Sequence, residues 1–427
     1  MSASLSGATA RSGPGIAVIG GGIVGLACAL SLQRALGDVT LYDLLPPGGG
    51  ASYGNSGLVA VDSCGPLAMP GMMRRIPGWL MDPDGPLAVD PRYAFKALPW
   101  LLARVRSGSM ERIVATSDGL RLLHKGALDA YRELLGPAHF ADLIRCSEQL
   151  EIWESEESAA ARAIVQRLRE RHGIAVRVLD RAEVADLVPG ISPVITHGAL
   201  LSNGGFVVNP LRLLTVLTEL FRQAGGRVRH ERVMKLVPPS DAQGWRLISS
   251  HDDTHHGRVV VAGGAASREL LAPLGIHLPL EAERGYHVML RDPGFHLPLP
   301  LLYKSRGFGV VPMEDGLRVA GTVEIAAPGR PMNERRAQSL LNLVQQLLPG
   351  VRGEERSVWM GSRPSFPDNL PVIERARIAD GLFIACGHGH FGMTSGPITG
   401  RLMTQLVAGA PTSVDLAPFR SQRFARA

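Results

Sequence analysis

Three glycines and a carboxylate carry the first recognisable chemistry in this sequence of 427 residues. Gly20, Gly22 and Gly25 stand in G-x-G-x-x-G spacing directly after an apolar run at 16–19, and a small-residue apolar stretch follows at 23–36. That order reads as strand, turn and helix. Gly20 permits the tight turn, Gly22 lets a pyrophosphate approach the backbone, and Gly25 allows helix and strand to pack closely. The helix start at Ile23 and Val24 turns free N–H groups and the positive dipole end towards the phosphates. Asp43 closes the next apolar run, about 20 residues past the last glycine, where a carboxylate can hold an adenosine ribose. An acid there, rather than Arg or Lys, speaks against a ribose 2′-phosphate.

Three further stretches offer groups to the same ligand. The loop at 48–57 has no helical or strand period, and Ser52, Asn55, Ser56 and Gly57 give it hydroxyls and turn-forming backbone suited to an anion. A second apolar strand at 259–262 breaks into Gly263 and Gly264. A last buried strand at 380–385 opens into Gly387, His388, Gly389, His390, Gly392, Met393 and Thr394, and then into a helix. Such strand ends lie at the carboxyl edge of a doubly wound sheet, where cofactors bind. His251, His255 and His256 sit at a polar hairpin tip, and no matching ligand set with metal-binding spacing accompanies them.

Those motifs need a scaffold, and the rest of the chain supplies one. Leucines recur at helical spacing over 116–135 and 155–172, and both segments read as surface helices with solvated charges. A helix over 210–225 starts on Pro210 and stops at glycine. Strands follow near 227–230, 233–237, 245–249 and 258–262. Alternating stretches around 285–290 and 308–322, with Tyr286 and Tyr303 among them, read as a mostly antiparallel sheet, and 332–348 reads as a helix. Residues 64–110 are rich in Pro, Met and Trp and read as irregular chain with short helices. The expected architecture is α/β: a Rossmann-type domain built from discontinuous segments at 16–75, 198–275 and 365–420, which the family resemblance described below makes the FAD-binding domain, and an α+β domain with a mostly antiparallel sheet at 76–197 and 276–364, which it makes the substrate domain. Residues 1–15 read as a disordered tail.

Composition narrows the function. The net charge of +6 is modest and no basic stripe interleaves with aromatics, so nucleic acid is not an expected partner. Cys28, Cys64, Cys146 and Cys386 are far apart and form no redox pair, which argues against a disulfide reductase and for a reducing cytoplasm.

In combination these motifs resemble the FAD-dependent D-amino acid oxidase superfamily, with the bacterial D-amino acid dehydrogenases as the nearest branch. The resemblance rests on the glycine run, Asp43, the Ser52–Gly57 loop, 205–210, 259–264, 309–312 through 321–324, Arg363-Pro364 and 387–392. It implies that Gly20 to Gly25 hold the FAD pyrophosphate, Asp43 the ribose, Val233 the adenine through its backbone, and the loops at 52–57 and 387–394 the diphosphate and flavin. It implies that Arg363 clamps a substrate carboxylate and makes Tyr286 and Tyr303 candidates for the pocket wall. No histidine follows Asp43 in the loop and no matching cysteine precedes the last strand, so the flavin is expected to be non-covalent. The implied reaction is hydride transfer from Cα of a D-amino or cyclic imino acid, such as D-proline or 4-hydroxy-D-proline, to flavin N5. A quinone or carrier protein is the expected acceptor, with an O2-using glycine, sarcosine or D-amino acid oxidase as the alternative. Peripheral contact of the 64–100 segment with the inner face of a membrane belongs to the first reading.

Overall fold

The computed structural model describes residues 15–46, 49–66, 68–154, 159–240 and 244–425. The tail expected at 1–15 therefore lies outside the described residues except for Gly15.

Ile16–Ile19 is apolar throughout and buried on both faces, as a central parallel strand must be. It pairs in parallel with Val39–Tyr42 on one side and Arg258–Val261 on the other. Arg227–Arg229 and Leu382–Cys386 extend the parallel sheet outwards, and antiparallel Val372–Arg375 closes one edge. On one face lie helices Ile23–Leu36, Pro210–Gln223 and Gly392–Ala408, whose apolar sides join Val18, Leu41 and Val260 in one core. The other face is covered by the antiparallel strands Val233–Val237, Trp245–Ser249 and Asp253–His256, anchored by fully buried Trp245. Each fully buried aliphatic or aromatic side chain in such a core contributes about 1.5–3 kcal/mol.

The first and last helices of this layer meet along a glycine seam. A Cβ on Gly400 would stand 2.6 Å from the Ala27 carbonyl oxygen, and one on Gly396 would stand 3.1 Å from Ile23 Cγ1. Close backbone approach is what these glycines permit.

The second layer system is a nine-stranded, mostly antiparallel sheet. Its order is Arg356–Ser365, Glu281–Leu290, Gly316–Ile325, Phe308–Met313, Leu301–Tyr303, Gln149–Trp153, His197–Leu201 and Val176–Asp180, with short Leu87–Val89 beside the end of Gly316–Ile325. Helix Glu334–Leu347 packs an apolar face of Leu340, Leu343, Val344 and Leu347 on one side of it. A β-bulge interrupts the pairing of Glu281–Leu290 with Gly316–Ile325: Tyr286 faces Gly321, but Arg284 faces Glu324. Thr322 sits in that bulge with φ +52°, a conformation that costs a branched side chain strain.

Two segments differ from the sequence expectation. The helix expected at 116–135 is two helices, Met110–His124 and Ala127–Leu143, separated at Lys125 and Gly126. They are not surface helices, because Leu120, Leu123, Tyr131 and Leu134 are buried in the Rossmann-side core. Strand His197–Leu201 pairs on both edges within the nine-stranded sheet. The chain thus crosses between the two layer systems more often than a reading of five segments implies.

Candidate active site

The glycine turn is built as its spacing requires. Gly20 has φ +111°, and a Cβ there would lie 2.3 Å from the Ala262 carbonyl oxygen. A Cβ on Gly25 would lie 1.7 Å from the Gly20 carbonyl oxygen. Gly22 caps helix Ile23–Leu36 with no side-chain acceptor. The first-turn N–H groups of such a helix have no intrahelical partner. The Ile23 N–H donates to Ser52 Oγ at 3.0 Å, while Val24 packs its side chain against the core. The Asp43 carboxylate accepts from the Gly21 N–H and, at 2.8 Å, from the Leu45 N–H, which fixes it at the mouth of the turn. Gly263 follows the neighbouring strand, and Val233 opens the antiparallel strand that faces Ser249.

The loop at 52–57 is pinned from three sides. Arg318, on the nine-stranded sheet, donates to the Tyr53 and Asn55 carbonyls at 2.8 and 2.9 Å. Burial pulls the Arg318 pKa down to about 10, so it stays charged at neutral pH. His287 Nδ1 reaches the Gly54 carbonyl at 3.1 Å, and its ring stacks on Trp359 with centroids 5.4 Å apart. Asn55 Oδ1 accepts from the Gly57 N–H, and Gly57 takes φ +79°. Ser56 is half-buried in the same loop.

The C-terminal loop arrives at the same place. Gly387 and Gly389 take φ +80° and +52° on the way into helix Gly392–Ala408. Thr394 Oγ1 accepts from the Ala60 N–H at 3.0 Å, and the Met393 carbonyl accepts from the Tyr131 hydroxyl at 2.7 Å. His388 Nε2 lies 2.9 Å from Thr399 Oγ1, and burial pushes its pKa down to about 3. It is therefore a neutral framework group. Two helix N-termini without side-chain caps, at Gly22 and Phe391, thus flank one loop of backbone and hydroxyl groups. Glycine-lined approach, a fixed carboxylate and two positive helix ends fit a dinucleotide with an anionic diphosphate and a flavin ring that gains negative charge on reduction.

Arg363 lies on Arg356–Ser365, whose register puts it opposite Glu283. Its guanidinium crosses Gly285, where a Cβ would stand 2.1 Å from Cζ. Nη1 donates to the Thr322 carbonyl at 3.1 Å, so the bulge aims its oxygen at this arginine. No carboxylate among the described residues forms an ion pair with Arg363, so the structural ion pair that would otherwise explain it is missing. Gly285→Ala is expected to displace the guanidinium and raise KM at least tenfold with the flavin spectrum retained; steady-state kinetics on flavin-matched samples checks this.

Tyr286 and Tyr303 are elsewhere. The pairings Tyr286 with Gly321, Gly321 with Phe308 and Phe308 with Tyr303 place both on the sheet face opposite Arg363. Tyr286 donates to Glu324 Oε2 at 2.5 Å and Tyr303 to Glu154 Oε1 at 2.5 Å. Both are buried in the core beneath helix Glu334–Leu347. Burial, followed by Glu324, pushes the Tyr286 pKa up to about 12. The residues that do share the Arg363 face are Glu283, Gly285, His287, Arg318 and Trp359. The spacing Glu283-x-Gly285-x-His287 was the available signal, since alternate polar residues in a strand mark a face that meets something polar.

Fold and geometry together give a dinucleotide-type glycine turn beside a second, mostly antiparallel sheet. The sequence profile of the FAD dependent oxidoreductases matches residues 15–406. The D-amino-acid oxidase of Bradyrhizobium diazoefficiens is 35% identical over 96% of this chain and 98% of its own length. A D-amino acid dehydrogenase of Rhizobium johnstonii is 27% identical over 96% and 99%. Among solved structures, glycine oxidase from Geobacillus kaustophilus superposes with a TM-score of 0.73 at 23% identity, over 96% of this chain and 98% of that one. The chain belongs to the FAD-dependent D-amino-acid oxidase and dehydrogenase superfamily, and its FAD is bound non-covalently.

Proposed function

We propose that this chain is an oxidase of a D-amino or cyclic imino acid that passes electrons to O2. The observation that carries the substrate class is the guanidinium of Arg363, held over Gly285 by the Thr322 carbonyl and without an ion pair to any carboxylate among the described residues. A planar guanidinium with vacant donors suits bidentate capture of a carboxylate. Bound FAD supplies the hydride acceptor. The chain's own residues do the rest. Arg363 orients the substrate by its carboxylate, Thr322 and Gly285 keep that arginine flat, and the buried strand face limits water. Release of a hydride requires the amine to be neutral, and a primary imine product then hydrolyses to a 2-oxo acid.

O2 now precedes the quinone or carrier that the sequence suggested first. Its support is the higher identity to an oxidase, 35%, than to the dehydrogenase, 27%. The test is a panel of D- and L-amino acids, cyclic ones included, with air or a dye as acceptor. Peroxide should form in step with substrate loss, at a rate indifferent to the dye. No peroxide, with turnover that depends on the dye, overturns the oxidase reading.

One feature favours the second reading, a dehydrogenase serving a membrane quinone from the cytoplasmic side. Helices Met72–Met81 and Pro91–Arg106 leave Met81 78% and Phe95 88% exposed, with Leu80, Leu98 and Leu102 also open and Arg74, Arg75 and Lys96 beside them. An apolar surface with a basic rim suits an anionic lipid interface. No helix among the described residues is long and apolar enough to cross a membrane.

A further inference from the structure

Opposite Arg363 in register stands Glu283, a carboxylate with almost no protein company. It is only 3% exposed, and Oε2 has no hydrogen-bond partner among the described residues. Its nearest cation is Arg104, whose Nη2 is 3.9 Å from Oε1, beyond hydrogen-bond range. Arg104 is itself engaged, donating to the Phe366 and Pro367 carbonyls at 3.3 Å. Two more buried polar atoms nearby are unpartnered, Ser365 Oγ and His390 Nδ1. His390 comes from the C-terminal flavin loop, and Ser365 ends the strand that carries Arg363.

Buried polar groups are normally satisfied, so a cluster of orphans calls for a ligand or ordered water. Here the orphans have a charge pattern. Burial works to raise the Glu283 pKa, but the positive charges of Arg104 and Arg363 hold it below the usual carboxylate value. Burial, reinforced by Arg363, pushes His390 down to about 3, so it is neutral. A fixed anion and a fixed cation therefore share one face of two neighbouring strands without bonding to each other. Thr322 and Gly285 hold the cation on one side, and Arg104 draws the anion to the other. Unpaired buried charges are costly, and a ligand that brings both opposite charges relieves them together.

We propose that Glu283, with Ser365 and His390 beside it, forms the subsite for the substrate's amino group, so that Arg363 and Glu283 together select zwitterionic amino acids over plain carboxylic acids. This deepens the reading above and rests on its assignment of Arg363 to the substrate carboxylate. Glu283 Oε2 accepts from the ammonium, and the neutral His390 ring and Ser365 hydroxyl adapt to the remaining N–H groups. A secondary, cyclic amine keeps fewer N–H donors and leaves one of these partners unmet.

The test uses FAD-loaded protein and reads binding as well as turnover. Perturbation of the flavin absorbance gives the Kd of a carboxylic acid that lacks the amine, and anaerobic flavin reduction gives the apparent Kd of the matching D-amino acid. In Glu283→Gln, amino acid affinity should fall on the order of ten- to a hundredfold, as loss of a charged hydrogen bond implies, with carboxylic acid affinity unchanged. Glu283→Asp keeps the charge and should lose less; it also serves if the glutamine variant fails to retain flavin. Arg363→Lys should weaken both ligands. Three outcomes overturn the proposal: unchanged amino acid affinity in E283Q, an equal loss for both ligands, or an altered flavin spectrum with amine binding intact. If instead the wild-type flavin is reduced by no amino acid at all, it is the functional reading beneath the proposal that falls.

Discussion

Arg363→Ala should bind FAD normally and yet lose most of its catalytic efficiency, through a KM raised roughly a hundredfold or more. The size follows from what the guanidinium does and does not do in the protein. It makes one hydrogen bond, to the Thr322 carbonyl, and no ion pair among the described residues. Removing it therefore takes little from the fold. Truncating one partner of a buried, hydrogen-bonded charge pair costs about 2–5 kcal/mol, or roughly thirty- to several-thousandfold. Steady-state kinetics with visible absorbance of the purified variant separates the two effects. Arg363→Lys should recover part of the loss, because a point charge replaces the fork. An unchanged KM would remove Arg363 from the substrate site.

The second large effect is expected at Gly25. Alanine there would put Cβ 1.7 Å from the Gly20 carbonyl oxygen. The obstacle is backbone, and it belongs to the turn that shapes the phosphate site, so no side-chain rotation relieves it. Gly25→Ala should lose FAD and stability on the order of 3 kcal/mol, the upper end of ordinary overpacking. Gly22→Ala makes the contrast. Its Cβ would meet Ser52 Oγ at 3.1 Å, a hydroxyl that can turn away. That variant should fold and hold FAD weakly. Flavin content per chain and Tm distinguish them; a fully flavinated Gly25→Ala protein would contradict the geometry.

The dinucleotide half of the site was legible because its logic is local. Gly20, Gly22, Gly25 and Asp43 act within one strand–helix–strand unit, and their spacing carries the geometry. The substrate half depends on register between strands far apart in sequence. The resemblance offers both Arg363 and Tyr286 to one pocket, but a strand turns successive side chains to opposite faces, and pairing alone decides which residues share one. Tyr286 faces Met360 and Glu283 faces Arg363, which puts the tyrosine in the core and the glutamate on the face that carries the arginine. The bulge at Thr322 adds one residue to one strand, and no residue type around it announces that. The stretch 116–135 reads as one surface helix because its charges are conspicuous, whereas the burial of the two helices found there comes from the distant helices Ile23–Leu36 and Gly392–Ala408.

The glycine seam between Ile23–Leu36 and Gly392–Ala408 has a consequence for the order of events during synthesis. The phosphate turn is made well before residues near 400, which supply the main packing partner of its helix. Strand Leu382–Cys386, which completes the parallel sheet beside Arg258–Val261, is equally late. Until then a nascent chain carries the flank of Ile23 and Ala27 without that partner, and the loop at 387–394 does not yet exist. A site that takes groups from both segments is therefore completed late, once residues 382–408 have been made.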